Sequence, residues 1–229
     1  MTAMMSSPMF GIVLCILCYY VGVQVNRKFP NPLTVPLLVG AVLAIAVVKI
    51  FNIPLELFDK GGDFITMLLG PATAMLALSI YRQVELLKKH FLPIICGCLA
   101  GAITSMTSVF ILGKLFGLED LLIQSLLPKS VTTAIAMGVS EQLGGIVPIT
   151  VASVVITGIF GTVMAPIFVK LFRVKDPTAV GVAIGSASHA LGTSKALEMG
   201  EIEGAMSGIS VGISGLITVF LAMIFRLLF

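Results

Sequence analysis

The sequence contains no tryptophan and few charged residues. Of its 229 residues, only 11% are Asp, Glu, Lys or Arg, whereas 58% are hydrophobic. A soluble domain has roughly 25% charged residues, so this shortage of charge excludes a soluble globular domain. The composition predicts a chain whose solvent is mostly lipid. Without Trp, any belt of aromatic side chains at the membrane surface has to consist of Tyr and Phe.

Basic residues are also missing from the first ten residues, MTAMMSSPMF. A secretory signal needs a basic region before its apolar run and a small-residue cleavage site. We therefore expect the first apolar run to remain as a membrane span. The four cysteines, Cys15, Cys18, Cys96 and Cys98, all lie inside apolar runs, and we interpret them as small packing residues rather than as a redox motif.

Signatures of enzymes are absent as well. The two His are far apart and the Cys lie in apolar runs, so no cluster of metal ligands is expected. The sequence has no phosphate-binding P-loop and no Ser-His-acid arrangement on a strand-turn-helix frame. The net charge is only +3 and is spread over loops, which indicates membrane topology signals rather than nucleic-acid binding. We expect no catalytic residue, cofactor or metal.

Long uncharged runs predict an all-α, polytopic membrane protein. Each run is close to the roughly 17–25 residues that cross the hydrocarbon core as a helix, and backbone groups in lipid must be paired within a helix. Six spans are predicted, at residues 9–26, 29–48, 64–81, 91–113, 142–169 and 204–225. We expect residues 1–229 to form one membrane domain, with scaffold spans in residues 1–60 and a transport core in residues 61–229.

Two further apolar segments are interrupted by polar residues. Residues 119–141 carry Lys129 within the run, and residues 177–200 carry small and hydroxyl-bearing residues around His189. Such segments survive at membrane depth only when they are buried in protein or line a wet cavity. We therefore predict that both are broken helices or re-entrant hairpins.

Basic residues in the loops predict the orientation of the chain. They follow the first span, the third span and the span that ends near residue 169, and the positive-inside rule places all three groups in the cytoplasm. These residues are Arg27, Lys28, Arg82, Lys88, Lys89, Lys170, Arg173 and Lys175. The N-terminus then lies outside a bacterial cytoplasmic (inner) membrane, and residues 119–141 must enter and return on the outer side. If they cross instead, the last basic group lies outside.

A faint internal repeat accompanies the interrupted segments. Lys114, Lys170 and Arg226 recur 56 residues apart, each after a Gly-rich apolar helix and a segment of small and polar residues. If each such segment is re-entrant, neighbouring units are inverted, and inverted repeats with broken helices are typical of secondary transporters. The alternative is chance, because Gly-rich helices pack closely in any membrane bundle.

Lys129 is the first candidate for a binding residue. A Lys near the bilayer centre costs roughly 2.5–3.5 kcal/mol on insertion scales. Pro128 can open a helix or occupy its first turn, and Ser130, Thr132 and Thr133 then add hydroxyl groups beside free backbone N–H groups. A helix N-terminus with hydroxyl groups and a cation is a ready site for an anion. Alternatively, the Lys129 side chain extends to the membrane interface.

The second interrupted segment, SASHALGTSK, repeats this composition. Its candidate binding residues are Ser188, His189, Gly192, Thr193, Ser194 and Lys195. We predict that both segments form one site, in which the two lysines bind the carboxylate of a small acid. His189 is a candidate proton carrier because an imidazole titrates near neutral pH. Glu141, Glu198 and Glu201 are further candidates for proton coupling or for a gate, and solvated turns are the alternative for them.

Two long stretches resemble a known family. LLPKSVTTAIAMGVSEQLGG and GVAIGSASHALGTSKALEMGEIEGAMSG are similar to the signature stretches of the LrgB family, the antiholin-like LrgB/CidB membrane proteins of bacteria. The resemblance extends over nearly the whole chain. The family usually has a proline after the paired threonines, where this sequence has Ala134. Pro128 therefore has to interrupt the helix alone.

The resemblance implies two alternative functions. One is holin/antiholin-like control of murein hydrolase activity, autolysis and programmed cell death, together with a small membrane partner of the LrgA/CidA type. The other is transport of small monocarboxylates, since relatives are linked to pyruvate uptake in bacteria and to glycolate/glycerate exchange in plastids. The lysines and broken helices favour a proton-coupled or exchanging carrier of a small 2-oxo or 2-hydroxy acid. A homodimer is expected, because a carrier that slides needs a fixed scaffold.

Overall fold

The computed structural model describes most of the chain, in residues 7–30, 34, 36–68, 71, 74–75, 78, 81 and 84–229. Every regular element in those residues is helical, which confirms the all-α prediction for them. The chain forms two compact units, Met1–Ala72 and Thr73–Phe229. The predicted division of roles between a scaffold in residues 1–60 and a transport core in residues 61–229 stays a prediction.

The first unit contains three described helices, α1 (Pro8–Lys28), α2 (Pro36–Ile50) and α3 (Leu55–Met67). α1 packs against both of the others. Gly11 of α1 lies directly against the backbone of Gly61 in α3. Helices in lipid gain little from the hydrophobic effect and associate through close van der Waals packing, so glycine at such a contact stabilises the pair.

The second unit contains the remaining helices. They are α4 (Val84–Lys89), α5 (Phe91–Leu115), α6 (Asp120–Leu126), α7 (Thr133–Leu143), α8 (Val147–Leu171), α9 (Pro177–Met199) and α10 (Glu201–Phe225), and the last is followed by a 3₁₀ turn, Arg226–Leu228. α9 packs against α8, α5 and α10, while α7 packs against α8.

Four of the described helices, α1, α5, α8 and α10, are long and apolar enough to cross a membrane. They correspond to the predicted spans 9–26, 91–113, 142–169 and 204–225. α2 is apolar but has only 15 residues, about 22 Å of helix, and eight of the 18 residues of the predicted span 64–81 lie outside the described residues. The chain is a multi-pass membrane protein, and the number of six spans stays a prediction.

The predicted span 142–169 begins too early. α7 ends at Leu143, and Gly144 follows with φ 85°, a left-handed conformation that glycine adopts without steric cost. α8 then starts at Val147. The first residues of the predicted run therefore belong to the end of the preceding helix.

Contacts at small residues define the directions of the long helices in the second unit. Gly97 and Gly101 of α5 lie against Val182 and Ser186 of α9, so these two helices begin at the same end. Likewise, Gly185 of α9 lies against the backbone of α10 near its start. α8 runs the opposite way. We call the end where α5, α9 and α10 begin the basic end, because Lys88, Lys89, Lys170, Arg173 and Lys175 lie there.

Two buried apolar clusters hold the second unit together. One joins α5, α9 and α10 and contains Ile94, Cys98, Val182, Met206, Ile209 and Ile213. The other joins α5, α6, α7 and α10 and contains Met106, Ile123, Leu127, Val139, Leu143 and Ala222. The clusters fix both interrupted segments against the long helices α5 and α10.

Candidate functional site

The first interrupted segment folds into a helical hairpin, the first hairpin, made of α6, a turn and α7. Pro128 has no N–H and its ring clashes with the preceding turn, so α6 ends at Leu126 and α7 begins only at Thr133. Ile123 of α6 shares a buried cluster with Leu143 of α7, so the segment returns to the end from which it started. That end is the one opposite the basic end.

A buried network of hydroxyl groups holds the first hairpin on α8. Thr150 Oγ1 lies 2.8 Å from the carbonyl oxygen of Ser125 and 2.7 Å from Ser140 Oγ. The backbone N–H of Ile146 donates to Ser125 Oγ at 2.7 Å. These three hydroxyl-bearing residues are fully buried. Because an unpaired polar group in lipid is costly, the network ties α6, α7 and the start of α8 into one frame.

The turn of the first hairpin, residues 127–132, carries Lys129 at its tip. Ser130 Oγ is 2.6 Å from Ser105 Oγ, which lies near the middle of α5. Lys129 Nζ is 3.5 Å from Ser130 Oγ and forms no ion pair with any carboxylate among the described residues. Lys129 is therefore a half-buried cation at the level of the middle of α5, with one neutral neighbour as its polar contact.

The start of α7 also has unused hydrogen-bonding capacity. Its N-cap residue, Thr132, has extended backbone angles, but its side chain does not cap the helix. Thr132 Oγ1 is buried and has no hydrogen-bond partner in the described part of the chain. Thr133 is the first residue of the helix. The helix N-terminus expected near Pro128 thus lies at Thr133, and its positive dipole end faces the turn.

The second interrupted segment also forms a hairpin, the second hairpin, within α9. The backbone of His189 departs from helical geometry, with φ 44° and ψ −145°. After this residue the chain reverses, since Gly192 lies against Ile184 and Ala196 shares a buried cluster with Val180. The second half of α9 therefore runs back along the first half towards the basic end.

The tip of the second hairpin is well bonded. His189 Nε2 is 2.9 Å from the carbonyl oxygen of Val154 in α8. Thr193 Oγ1 donates to the carbonyl oxygen of His189 at 3.0 Å and lies 2.8 Å from Ser207 Oγ in α10. Ser188 is buried against Gly161. These contacts hold His189 in a backbone region that costs a non-Gly residue about 1–3 kcal/mol.

The two hairpins come from opposite ends and meet near the middle of the second unit. On α5, Gly101 contacts the second hairpin and Ser105, one turn later, contacts the first. Val131 of the first tip and Val154 share a buried cluster, and the carbonyl group of Val154 is the partner of His189. Two helix N-termini begin here, at Thr133 and just after His189, and the first N–H groups of each have no partner within their own helix.

A cavity of about 550 Å³ lies between α5 and the first half of α9. His90 and Asp176 line it at the basic end, and Ser186 and Ala187 line it beside the second tip. Its walls include Gly97 and Gly101 as well as Thr178. The cavity gives the basic end a path towards the region where the hairpins meet.

The remaining candidates lie further from the tips. Lys195 is six residues beyond His189, about 9 Å along the helix, and its Nζ is 2.7 Å from a carboxylate oxygen of Glu198. Ser194 and Glu201 are exposed. The prediction that Lys195 and Lys129 bind one carboxylate together stays a prediction, and Lys195 already has a carboxylate partner.

The structure also places two further predicted residues, Gly192 and Glu141. Gly192 is buried against Ser188, where a side chain would not fit. Glu141 is exposed near the end of α7. The proton-coupling roles suggested for the acidic residues and for His189 stay predictions.

Three contributors to the two tips were not predicted from the sequence. Ser105, Val154 and Ser207 provide the polar atoms that Ser130, His189 and Thr193 contact. Ser105 and Ser207 are polar residues inside apolar runs, and this pattern could have marked them as contacts of the tips. Val154 contributes only a backbone carbonyl group, which no sequence pattern marks.

Comparisons with known proteins point to one family. The model of the LrgB-like family matches residues 15–228. Proteins named antiholin-like protein LrgB, from Bacillus cereus strain B4264 and Bacillus anthracis strain A0248, are 40% identical to this chain over 214 residues. The match covers 93% of this chain and 93% of each relative. No solved structure gives a significant match.

Proposed function

Because the chain belongs to the LrgB-like family, we propose that it is an antiholin-like protein of the bacterial cytoplasmic membrane. The 40% identity to antiholin-like proteins over 93% of the chain carries this proposal. In this role it restrains murein hydrolase activity and autolysis, together with a small membrane partner of the LrgA/CidA type. Because the chain belongs to this family, the proposal includes a role in programmed cell death.

The arrangement of charges supports an orientation for this role. Five of the described basic residues of the second unit, in the stretches 88–89 and 170–175, lie at the basic end. Lys114 and Arg226 lie at the other end. The positive-inside rule favours the basic end as the cytoplasmic one. The first hairpin then enters from the outside and the second from the cytoplasm, and the N-terminus is proposed to lie outside.

Deletion and complementation test the antiholin-like role. Loss of the gene should raise the secreted murein hydrolase activity and the rate of detergent-induced autolysis, and expression of the chain should reverse both changes. The control is an unrelated multi-pass membrane protein expressed to the same level, which should reverse neither. Autolysis that is unchanged by deletion, with the partner present, would contradict the role.

A second candidate function, a carrier of small monocarboxylates, is favoured by the meeting of the two hairpins. Within the described residues, Lys129 is a half-buried cation that pairs with no carboxylate, and Thr132 Oγ1, in the same turn, is a buried hydroxyl group without a partner. Two helix N-termini begin in the same region. An anionic carboxylate would satisfy all three features, since N–H groups, hydroxyl groups and a cation all favour a negative charge.

The surrounding packing is consistent with a carrier mechanism. The two hairpins meet in the middle of the unit, so each closes the site from one end, and the cavity beside the second tip provides access from the basic end. Small residues at the contacts between α5, α9 and α10 let these helices approach one another closely. We propose that His189 takes part in proton coupling and that a homodimer supplies the fixed scaffold.

Uptake into proteoliposomes separates the two candidates. Labelled pyruvate or glycolate should enter with saturation, and unlabelled acid of the same kind should compete. Lys129→Ala should abolish uptake while the protein remains folded, whereas Lys114→Ala, which removes a cation paired with Asp120, serves as the matched control with normal uptake. Leakage without saturation, or normal uptake by Lys129→Ala, would contradict the carrier and leave the antiholin-like role as the better account.

A further inference from the structure

An apolar groove runs along the surface between α8 and the first half of α9. Its volume is about 320 Å³, within the range of small-molecule sites. Phe160, Phe168 and Phe172 form one wall, and Ala179 and Ala183 form part of the other. From residue 157 to residue 172 the groove follows α8 for about 22 Å, from the basic end to the level of the second tip.

The basic end of the groove is shaped by an unusual helix terminus. Arg173 has φ 53°, and its N–H donates to the carbonyl oxygen of Lys170 while that of Val174 donates to Val169. This bonding pattern is a Schellman motif, in which the left-handed residue is usually glycine. Val169 and Val174, brought together by the motif, both line the groove. The sequence therefore keeps an arginine at a position where glycine is the unstrained choice.

The charges at this end suit an anionic headgroup. Lys170, Arg173 and Lys175 are exposed where the groove ends. The facing acid is Asp176, whose carboxylate accepts from the N–H of Thr178 and caps α9. One carboxylate beside three cations leaves a net positive charge next to an apolar channel of acyl-chain length. Basic pockets between membrane helices on the cytoplasmic side recognise anionic lipid headgroups in this way.

We propose that this groove is a binding site for one anionic phospholipid, with an acyl chain between α8 and α9 and the phosphate at Arg173 and Lys175. The site does not depend on which of the functions proposed above is correct, but it uses the same orientation, with the basic end in the cytoplasm. Its inner end is lined by Ser188, beside the tip residue His189. The bound chain therefore supports the hairpin along its length.

The thermal unfolding midpoint of the full-length protein in a neutral detergent provides the test. Added phosphatidylglycerol should raise the midpoint with an apparent affinity about thirtyfold higher than phosphatidylcholine, as expected for two cations near a lipid phosphate whose charge no choline group cancels. The double variant R173Q/K175Q should respond equally to both lipids. Phe168→Ala, which removes a groove wall, should weaken the response to both. Lys28→Gln, in the first unit, is the control that keeps the preference.

Arg173→Gly separates the lipid effect from folding. Glycine relieves the left-handed backbone strain, so the midpoint without lipid should rise by about 2 °C, while the preference for phosphatidylglycerol should fall. If Arg173 had only a structural role, the glycine variant would be stable and would keep its preference for phosphatidylglycerol. That result would overturn the proposal.

Three other results would also overturn the proposal. R173Q/K175Q could keep its preference for phosphatidylglycerol. Inorganic phosphate alone could raise the midpoint as much as the lipid does, which would indicate a free anion instead. The midpoint could depend on protein concentration but not on the headgroup, which would indicate that a second copy of the chain covers the groove.

Discussion

The two hairpin tips differ in how completely their polar groups are bonded. At the second tip the His189 ring bonds to a carbonyl group of α8, and Thr193 bonds both to the backbone of the tip and to α10. At the first tip Lys129 has no carboxylate partner and Thr132 Oγ1 has no partner at all in the described residues. The second tip is internally satisfied, whereas the first has capacity for a ligand.

The two tips have similar compositions, which would suggest a shared role. The difference in their hydrogen bonding instead assigns them different roles. A bonded tip is a structural pivot, and changes there should appear mainly in the free energy of unfolding. An unbonded buried polar group is costly in lipid and is retained where it contacts a ligand or a cavity. Variants at the second tip should therefore alter stability, and variants at the first tip should alter binding.

The largest effect on stability is expected from His189→Ala. The change removes the hydrogen bond to the Val154 carbonyl group and leaves a cavity where the buried ring was, while the backbone strain stays as in the wild type. The free energy of unfolding should therefore fall by about 2–3 kcal/mol. His189→Gly loses the same hydrogen bond but relieves the strain, so it should be about 1 kcal/mol more stable than His189→Ala. Unfolding in mixed detergent micelles measures both. An alanine variant at least as stable as the glycine variant would show that the backbone of this tip is not strained.

The frame of the first hairpin should give the next largest effect. Thr150→Val preserves the shape of the side chain but removes the hydroxyl group that joins Ser125 and Ser140. We expect a loss of about 1–2 kcal/mol in the same unfolding measurement. Thr162→Val is the matched control, because Thr162 bonds only within its own helix. Equal losses for the two variants would mean that the network contributes nothing beyond helix-internal bonding.

The first tip itself should respond in binding rather than in stability. Thr132→Val removes a hydroxyl group without a partner, so the free energy of unfolding should stay within about 0.5 kcal/mol. If a carboxylate is bound there, its apparent affinity in the uptake assay should fall about tenfold, the loss of one hydrogen bond to a charged group. Thr132→Ser keeps the hydroxyl group and should behave as the wild type. A destabilised valine variant with unchanged affinity would reverse the assignment of roles to the tips.

The smallest effect is expected at Lys195. Its partner Glu198 is largely exposed, and exposed ion pairs contribute about 0–1 kcal/mol. Lys195→Gln should therefore change the unfolding free energy and the apparent affinity for the acid only slightly. A loss of uptake as large as that of Lys129→Ala would instead support the sequence-based prediction that both lysines contact one carboxylate.

The interruptions could be predicted from the sequence because their causes are local. Pro128 cannot continue a helix, and the cluster of Ser, Gly and Thr around His189 has low helix propensity. The helix boundary at Thr133 was not predictable, because it depends on how a six-residue turn packs against α5. The reversal at His189 depends on a hydrogen bond to the backbone of Val154, which lies 35 residues away in the chain.

The packing partners of the hairpins were also beyond the sequence. Gly97 and Gly101 are visible as small residues, but their facing residues, Val182 and Ser186, are set by the packing of whole helices. Lys195 was predicted to bind a carboxylate together with Lys129, and the sequence did not show that Glu198 would be its ion-pair partner. Composition therefore located the region of interest, while long-range contacts decided which polar groups in it are free.

The contact between Thr193 and Ser207 has a consequence for biosynthesis. The second hairpin leaves the ribosome before α10, and only one residue, Gly200, separates the two helices. Until α10 is inserted, the Thr193 hydroxyl group lacks its partner across the helix pair, and lipid offers no replacement. The second hairpin is therefore completely bonded only after the final helix has been inserted, and before that step Thr193 keeps only its bond to the carbonyl group of His189.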